Sequence, residues 1–152
     1  MKNLWLYLVF LWRSTNQHGI HSPFVFALVT KCFYAKKKHK AYNKLCTKTT
    51  DFKKAKFLCR FVDYFNFDTI YHPEFISKNF KIALSSNPDS VVKTYSGKIP
   101  KITNFTQKDL IYFKSLPLDN SEEFQQFMKQ CSNDSIIIIE DIRQSFTQFQ
   151  YW

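Results

Sequence analysis

Two adjacent carboxylates, Glu140 and Asp141, directly follow a run of four isoleucines and are the catalytic candidates of this sequence. A carboxylate at the end of a buried strand can act as a general base or as a ligand to a metal ion. The sequence offers this pair no evident partner group. The same two residues are therefore also typical of a solvated strand end or of helix capping.

A second candidate is the His-Gly-x-His spacing of His18 and His21, in the stretch RSTNQHGIHSPFVF at residues 13–26. Two histidines at this spacing could be metal ligands, but a structural zinc site needs about four. The cysteines do not complete such a site, because they are scattered without a CxxC pair: Cys32, Cys46, Cys59 and Cys131. We therefore predict no metal, reduced and mostly buried thiols, and a structural join between two helices. A role of the histidines in a substrate or partner surface stays open.

The composition indicates one folded, basic domain. The chain has 152 residues, 45% hydrophobic and 18% aromatic, which excludes a disordered protein. Lys and Arg number 22 against 12 Asp and Glu, so the formal net charge is +10. This charge favours weak attraction to nucleic acid or to an anionic membrane. Only three of the basic residues are arginine, which disfavours a dedicated reader of nucleic acid.

The apolar run at residues 4–12, LWLYLVFLW, could be a leader, an anchor or a packed helix. Nine apolar residues are too few to span a bilayer, which needs about 20, and no small-residue cleavage site follows. We predict a short helix packed on the domain, with a membrane-surface helix as the alternative because the run contains Trp5, Tyr7 and Trp12. The predicted localisation is cytoplasmic.

Helices and strands alternate over most of the chain. Ser22 and Pro23 form a typical helix start. Helices are predicted at 22–34, 51–65, 74–84 and 122–131, the last with a capping box of Asn120 and Glu123. Strands are predicted at 68–72, 91–95, 109–113 and 135–141, with a further short strand within 101–105. The pattern predicts an α/β fold with about five mostly parallel strands and flanking helices.

Residues 11–34, LWRSTNQHGIHSPFVFALVTKCFY, resemble the N-terminal helical extension, with its HGxHSPF-type signature, of small bacterial proteins related to class I S-adenosylmethionine-dependent methyltransferases. The runs DTIYH, VVKTY, DLIYF and SIIIIEDI match, in order, the first, second, fourth and fifth strands of that family. The resemblance covers nearly the whole chain. It implies a helical extension at 1–50 and a reduced Rossmann-like methyltransferase domain at 51–152, packed as one unit.

The resemblance also implies where S-adenosylmethionine would bind. In the family an acidic residue and a glycine-rich turn follow the first strand, where this chain has Tyr71, His72 and Pro73. The acidic residue near the end of the second strand is replaced by Ser96, which lacks the two carboxylate acceptors. Tyr71, His72 and Ser96 are thus the cofactor-binding candidates by position. Lys114 stands where the family has an aspartate after the fourth strand.

These replacements favour a methyltransferase-like protein that has lost cofactor binding and catalysis, a pseudoenzyme or scaffold with an unknown protein partner. One alternative is an active S-adenosylmethionine-dependent methyltransferase that uses Glu140, Asp141 and His72 with an unusual cofactor site. Another is a basic module that binds a membrane surface or nucleic acid through the lysine-rich loop at 36–40 and the N-terminal aromatic helix at 4–12.

Overall fold

The computed structural model describes residues 23–36, 38–106, 108–115 and 121–141 of the chain. The predicted helix at residues 4–12, His18 and His21, and the proposed cap residue Asn120 lie outside the described residues.

The described strands form a single parallel sheet, as the sequence pattern predicts. The strands are β1 (Thr69–Pro73), β2 (Val91–Tyr95), β3 (Asp109–Ser115) and β4 (Ile136–Asp141). Their order is β2-β1-β3-β4, and every neighbouring pair is parallel. The further strand predicted within 101–105 is not found, because that segment is irregular backbone after Pro100. The described part of the chain therefore has four strands.

The helices are α1 (Pro23–Ala27), which continues as a π-helical turn at Leu28–Phe33, then α2 (Phe52–Phe65), α3 (Lys78–Leu84) and α4 (Ser121–Gln130). A 3-10 helix at Lys40–Lys44 precedes α2. Helix α3 was predicted to begin at residue 74, but it begins at Lys78. The reason is that the Ser77 side chain accepts the Phe80 N–H at 3.2 Å and caps the first turn.

The two crossover helices cover opposite faces of the sheet. Helix α3 joins β1 to β2 and packs with α2 on the face that carries Ile70, Leu110 and Tyr112. Helix α4 joins β3 to β4 and packs its Phe127 on the other face, where Ile111 lies. The strand order reverses between β1 and β3, so right-handed crossovers on either side of that point place their helices on opposite faces.

The described part of the N-terminal region shares the core of the α2 face. The buried side chains of Cys32, Ala41 and Leu45 belong to the same apolar cluster as α2 and α3. Arg60 of α2 donates to the carbonyl of Cys32 and, at 2.7 Å, to the Tyr42 hydroxyl. None of the helices in the described residues has the length and apolarity that a bilayer crossing requires.

The four cysteines are free thiols in the structure, and Cys32 and Cys59 are buried. The prediction of mostly buried thiols is only partly correct, because Cys46 is exposed and Cys131 is half-buried. Cys46 lies in the loop that leads into α2, where backbone packing against Asn79 leaves its thiol at the surface.

Candidate functional site

In an open parallel sheet, ligands bind outside the carboxyl ends of the strands at the point where the strand order reverses. Here that point lies between β1 and β3. Helices α2 and α3 both begin at this edge of the sheet, since α2 precedes β1 and α3 follows it. The region is where the cofactor candidates should converge.

Proline at the end of β1 interrupts the hydrogen-bond ladder at this point. Pairing of β1 with β2 continues to Pro73, whereas pairing of β1 with β3 ends at Tyr71. The Glu74 N–H donates to the carbonyl of Tyr95 on β2 at 3.0 Å. Because residues of a central parallel strand alternate between their two neighbours, Pro73 faces β3, and it has no N–H to donate there.

The Tyr95 side chain takes the place of the missing donor. Its hydroxyl donates to the carbonyl of Tyr112 on β3 at 2.9 Å, the carbonyl that lies next to Pro73. Strand β1 lies between β2 and β3, so the phenol reaches across the end of β1. The ring also packs against Phe113, with centroids 6.1 Å apart, and burial raises the pKa of Tyr95. The Tyr95 phenol therefore lies across the carboxyl end of β1, at the reversal point.

The residues of this crevice do not fit S-adenosylmethionine in the position that the resemblance implies. That position requires close approach of the backbone after the first strand, and the turn from Pro73 to Ser77 contains no glycine. The Tyr95 side chain also reaches across the end of β1 to the carbonyl of Tyr112.

Tyr71, the first cofactor candidate, is buried against Ile111 on the α4 face of the sheet. Its hydroxyl lies near Thr69 and Asp109, which begin β1 and β3. Burial raises the pKa of this phenol, and the nearby carboxylate of Asp109 raises it further. The hydroxyl is thus directed toward the amino ends of the strands, away from the crevice.

His72, the second candidate, is buried and belongs to the opposite face, because successive strand residues alternate. Its Nδ1 lies 2.8 Å from the carbonyl oxygen of Pro73. A carbonyl only accepts, so this contact assigns the proton to Nδ1. The ring stabilises the β1–α3 turn, and the sheet separates it from Tyr71.

Ser96, the third candidate, is exposed at the end of β2 beside an open cavity of about 590 Å³. Gly97 has a φ of +92°, a conformation that favours glycine, and it turns the chain away from the sheet. Lys98, Lys101 and Glu123 also line the cavity. Tyr95 lies between this cavity and β1, so the structure does not bring Ser96 together with Tyr71 or His72.

Glu140 is held by two partners on the α2 face of β4. It accepts from the Tyr112 hydroxyl at 2.7 Å and from Lys54 Nζ at 3.3 Å. Burial raises the pKa of Tyr112, and the adjacent Glu140 carboxylate adds to this shift. A carboxylate paired with a lysine and a phenol is not a free base. The backbone of Asp141 pairs with Ser115 of β3. Lys114 is exposed at the end of β3.

A buried polar network that was not predicted lies beside this edge. Asn79 of α3 is 2% exposed and hydrogen-bonds to both backbone groups of Cys46, at 2.8 and 3.0 Å. Its amide also donates to Thr49 and to Asp51, at 2.7 and 3.1 Å. Asp51 accepts the Ser77 hydroxyl as well, and these hydroxyl contacts lower its pKa. The network fixes the starts of α2 and α3 relative to each other.

One feature of the sequence does indicate a role for Tyr95. A proline in a strand with neighbours on both sides leaves one carbonyl without a ladder donor. Tyr95 ends the adjacent strand and has a hydroxyl that can reach that carbonyl. The roles of Tyr112 and Lys54 depend on tertiary packing of α2 against β4 and have no comparable local signal.

Among the described residues, no group of three or more His, Cys, Asp or Glu side chains is placed to hold a metal ion. No family model, curated protein or solved structure matches this chain. The function is therefore inferred from the residues and their geometry.

Proposed function

We propose that the chain is a reduced, methyltransferase-like Rossmann scaffold that does not bind S-adenosylmethionine and acts through a protein partner. The strand order supports the Rossmann-like part of this proposal. A doubly wound sheet has the order 3-2-1-4-5-6. The four strands, matched by sequence to the first, second, fourth and fifth strands of the family, lie in the order 2-1-4-5.

The observation that carries the loss of cofactor binding is the Tyr95 bridge. The ring lies across the carboxyl end of β1, and its hydroxyl supplies to the Tyr112 carbonyl the donor that Pro73 lacks. Rotating the ring out to admit a ligand would leave the buried Tyr112 carbonyl without a partner, at a cost of about 1–3 kcal/mol. A cofactor would have to offset this cost before it gained any affinity.

The pairing of Glu140, the candidate general base, also supports the loss of catalysis. Glu140 is paired with Lys54 and Tyr112, whereas a general base must be free to accept a proton from substrate. The exposed Lys114 adds a positive charge near the carboxyl end of β3. Because S-adenosylmethionine carries a sulfonium cation, this lysine opposes its binding electrostatically.

The test is isothermal titration of the folded protein with S-adenosylmethionine and, separately, S-adenosylhomocysteine. The expected result is no binding heat up to about 1 mM ligand, which corresponds to an affinity weaker than about −4 kcal/mol. An active methyltransferase in the same buffer is the positive control, and a cooperative urea transition verifies folding. A dissociation constant in the micromolar range for either ligand would refute the proposal.

A further inference from the structure

A cavity of about 730 Å³ lies at the opposite end of the α2 face from the crevice. The 3-10 helix at Lys40–Lys44 forms one side, and the last turn of α3 with the chain after it forms the other. Asp63, near the end of α2, lies at its rim. Both helices end here, so the cavity is near the amino ends of the strands and is separate from Tyr95.

The charge of this cavity is strongly positive. Its ionic side chains are four lysines, Lys38, Lys40, Lys44 and Lys81, and one carboxylate, that of Asp63. In the described part of the chain, no carboxylate forms an ion pair with any of these lysines. Four lysines against one carboxylate leave three positive charges. The ends of α2 and α3 contribute about −0.5 each, which leaves the cavity positive.

His39 does not add to this charge. Its Nδ1 accepts the N–H of Ala41 at 3.1 Å and caps the 3-10 helix. An accepting Nδ1 carries no proton, so the proton lies on Nε2, which is 3.6 Å from a carboxylate oxygen of Asp63. The neutral imidazole thus holds Asp63 at one side of the cavity. Ser85 and Ser86 also line the cavity. The Ser85 hydroxyl is a further donor, whereas the Ser86 hydroxyl donates to the carbonyl of Cys59 at 3.5 Å.

We propose that this cavity is a binding site for a compact, phosphate-bearing polyanion. Lysine ammonium groups bind phosphate as point charges, and hydroxyl donors complete the contacts to phosphate oxygens. The volume is within the range of small-molecule sites. Among the residues that the structure describes, no Phe, Tyr or Trp lines the cavity, so this part of the chain offers no stacking platform of the kind that single-stranded nucleic acid requires. A small ligand with several phosphate charges is therefore the class that fits.

The probe is inorganic tripolyphosphate, titrated calorimetrically into the full chain at low ionic strength. The test variant is Lys40→Gln/Lys44→Gln/Lys81→Gln, and the matched control is Lys101→Gln/Lys108→Gln/Lys129→Gln, which removes the same charge elsewhere. Binding should weaken about tenfold or more in the test variant and less than about threefold in the control. Equal weakening in both variants would overturn the site, because it would indicate attraction to net charge alone.

A second variant tests whether negative charge in the cavity opposes tripolyphosphate binding, without removing a lysine. Asp63→Asn removes the carboxylate that opposes an anion while it keeps an acceptor for His39. Tripolyphosphate should bind this variant about threefold or more tightly than the original chain. Unchanged or weaker binding would overturn the proposal, as would the absence of tripolyphosphate binding to the original chain. Tight binding of a short thymidine oligonucleotide without binding of tripolyphosphate would assign the surface to nucleic acid and reject the compact ligand.

Discussion

Replacing Tyr95 with phenylalanine should destabilise the fold although the ring remains. The Tyr95 hydroxyl is 2.9 Å from the Tyr112 carbonyl, and Tyr112 is 1% exposed. Losing the donor leaves a buried acceptor unsatisfied, which costs about 1–3 kcal/mol. In a chain of this size each kcal/mol lowers the melting temperature by about 2–4 °C. Urea unfolding should show a lower midpoint with an unchanged slope.

The control for this change is Tyr64→Phe. Tyr64 is 46% exposed, and its ring packs against Phe65 without a described hydrogen bond from the hydroxyl. Its free energy of unfolding should change by less than about 0.5 kcal/mol. An equal loss of stability in Tyr95→Phe and Tyr64→Phe would refute the assignment of a buried hydrogen bond to Tyr95.

A double-mutant cycle with Pro73→Ala tests the reason for that hydrogen bond. Alanine restores an N–H beside the Tyr112 carbonyl, so the carbonyl gains a ladder donor and no longer depends on Tyr95. The cost of Tyr95→Phe should therefore fall by about 1 kcal/mol in the Pro73→Ala background. The cycle cancels the separate effect of proline on the unfolded chain. If Tyr95→Phe lowered the free energy of unfolding equally in both backgrounds, the Tyr95 hydroxyl would not be replacing the missing N–H of Pro73.

Three further predictions concern the rest of the α2 face. Asn79→Ala should lower the free energy of unfolding by about 2–4 kcal/mol. The control Asn43→Ala changes an exposed residue and should lower it by less than about 0.5 kcal/mol. Similar losses for the two variants in urea unfolding would refute the Asn79 network. Asp51 has a lowered pKa in the folded state, so its contribution is present above the unfolded pKa of about 3.9 and is lost as the pH falls through the folded pKa. Stability should decrease as the pH falls below about 4, and less steeply in Asp51→Asn; parallel curves for the two proteins would exclude Asp51 as the cause. Burial raises the pKa of Cys59 to about 11. A disulfide reagent at about pH 8 should therefore label the exposed Cys46 first. The same reagent should label the buried Cys32 and Cys59 only after unfolding. A Cys46→Ser variant that kept the fast phase would contradict this order.

The strands were predictable because their local patterns are strong. The four consecutive isoleucines of β4 and the run DLIYF of β3 are typical of strands covered on both faces. In the described sheet β3 has a strand on either side, and β4 lies at the edge. Helix α2 followed from its apolar spacing. The irregular segment at 101–105 has strand-like residues, but Ile102 and Phe105 pack as separate side chains against the α4 face without a neighbouring strand.

The site was less predictable because its contacts are between distant segments. Position in the chain predicts that Tyr71, His72 and Ser96 are neighbours at one edge of the sheet. In the structure, alternation along β1 places Tyr71 and His72 on opposite faces, and Tyr95 lies between Ser96 and β1. The pairing of Glu140 with Lys54 joins residues 86 positions apart and depends on how α2 packs over β4. Asn79 was predicted only as part of a helix, although a buried asparagine in a first turn is suited to bind loop backbone.

The most direct test of the proposed loss of cofactor binding is an amide-resolved titration with S-adenosylmethionine by ¹H–¹⁵N correlation spectroscopy. The backbone amides of Glu74, Gly97 and Ser115 surround the carboxyl edge and would report a ligand there. The proposed loss of cofactor binding predicts no saturable shift of these amides up to about 1 mM ligand. Saturable shifts confined to these three amides, with the protein folded, would contradict the proposal. They would mean that the Tyr95 side chain moves aside when the cofactor binds.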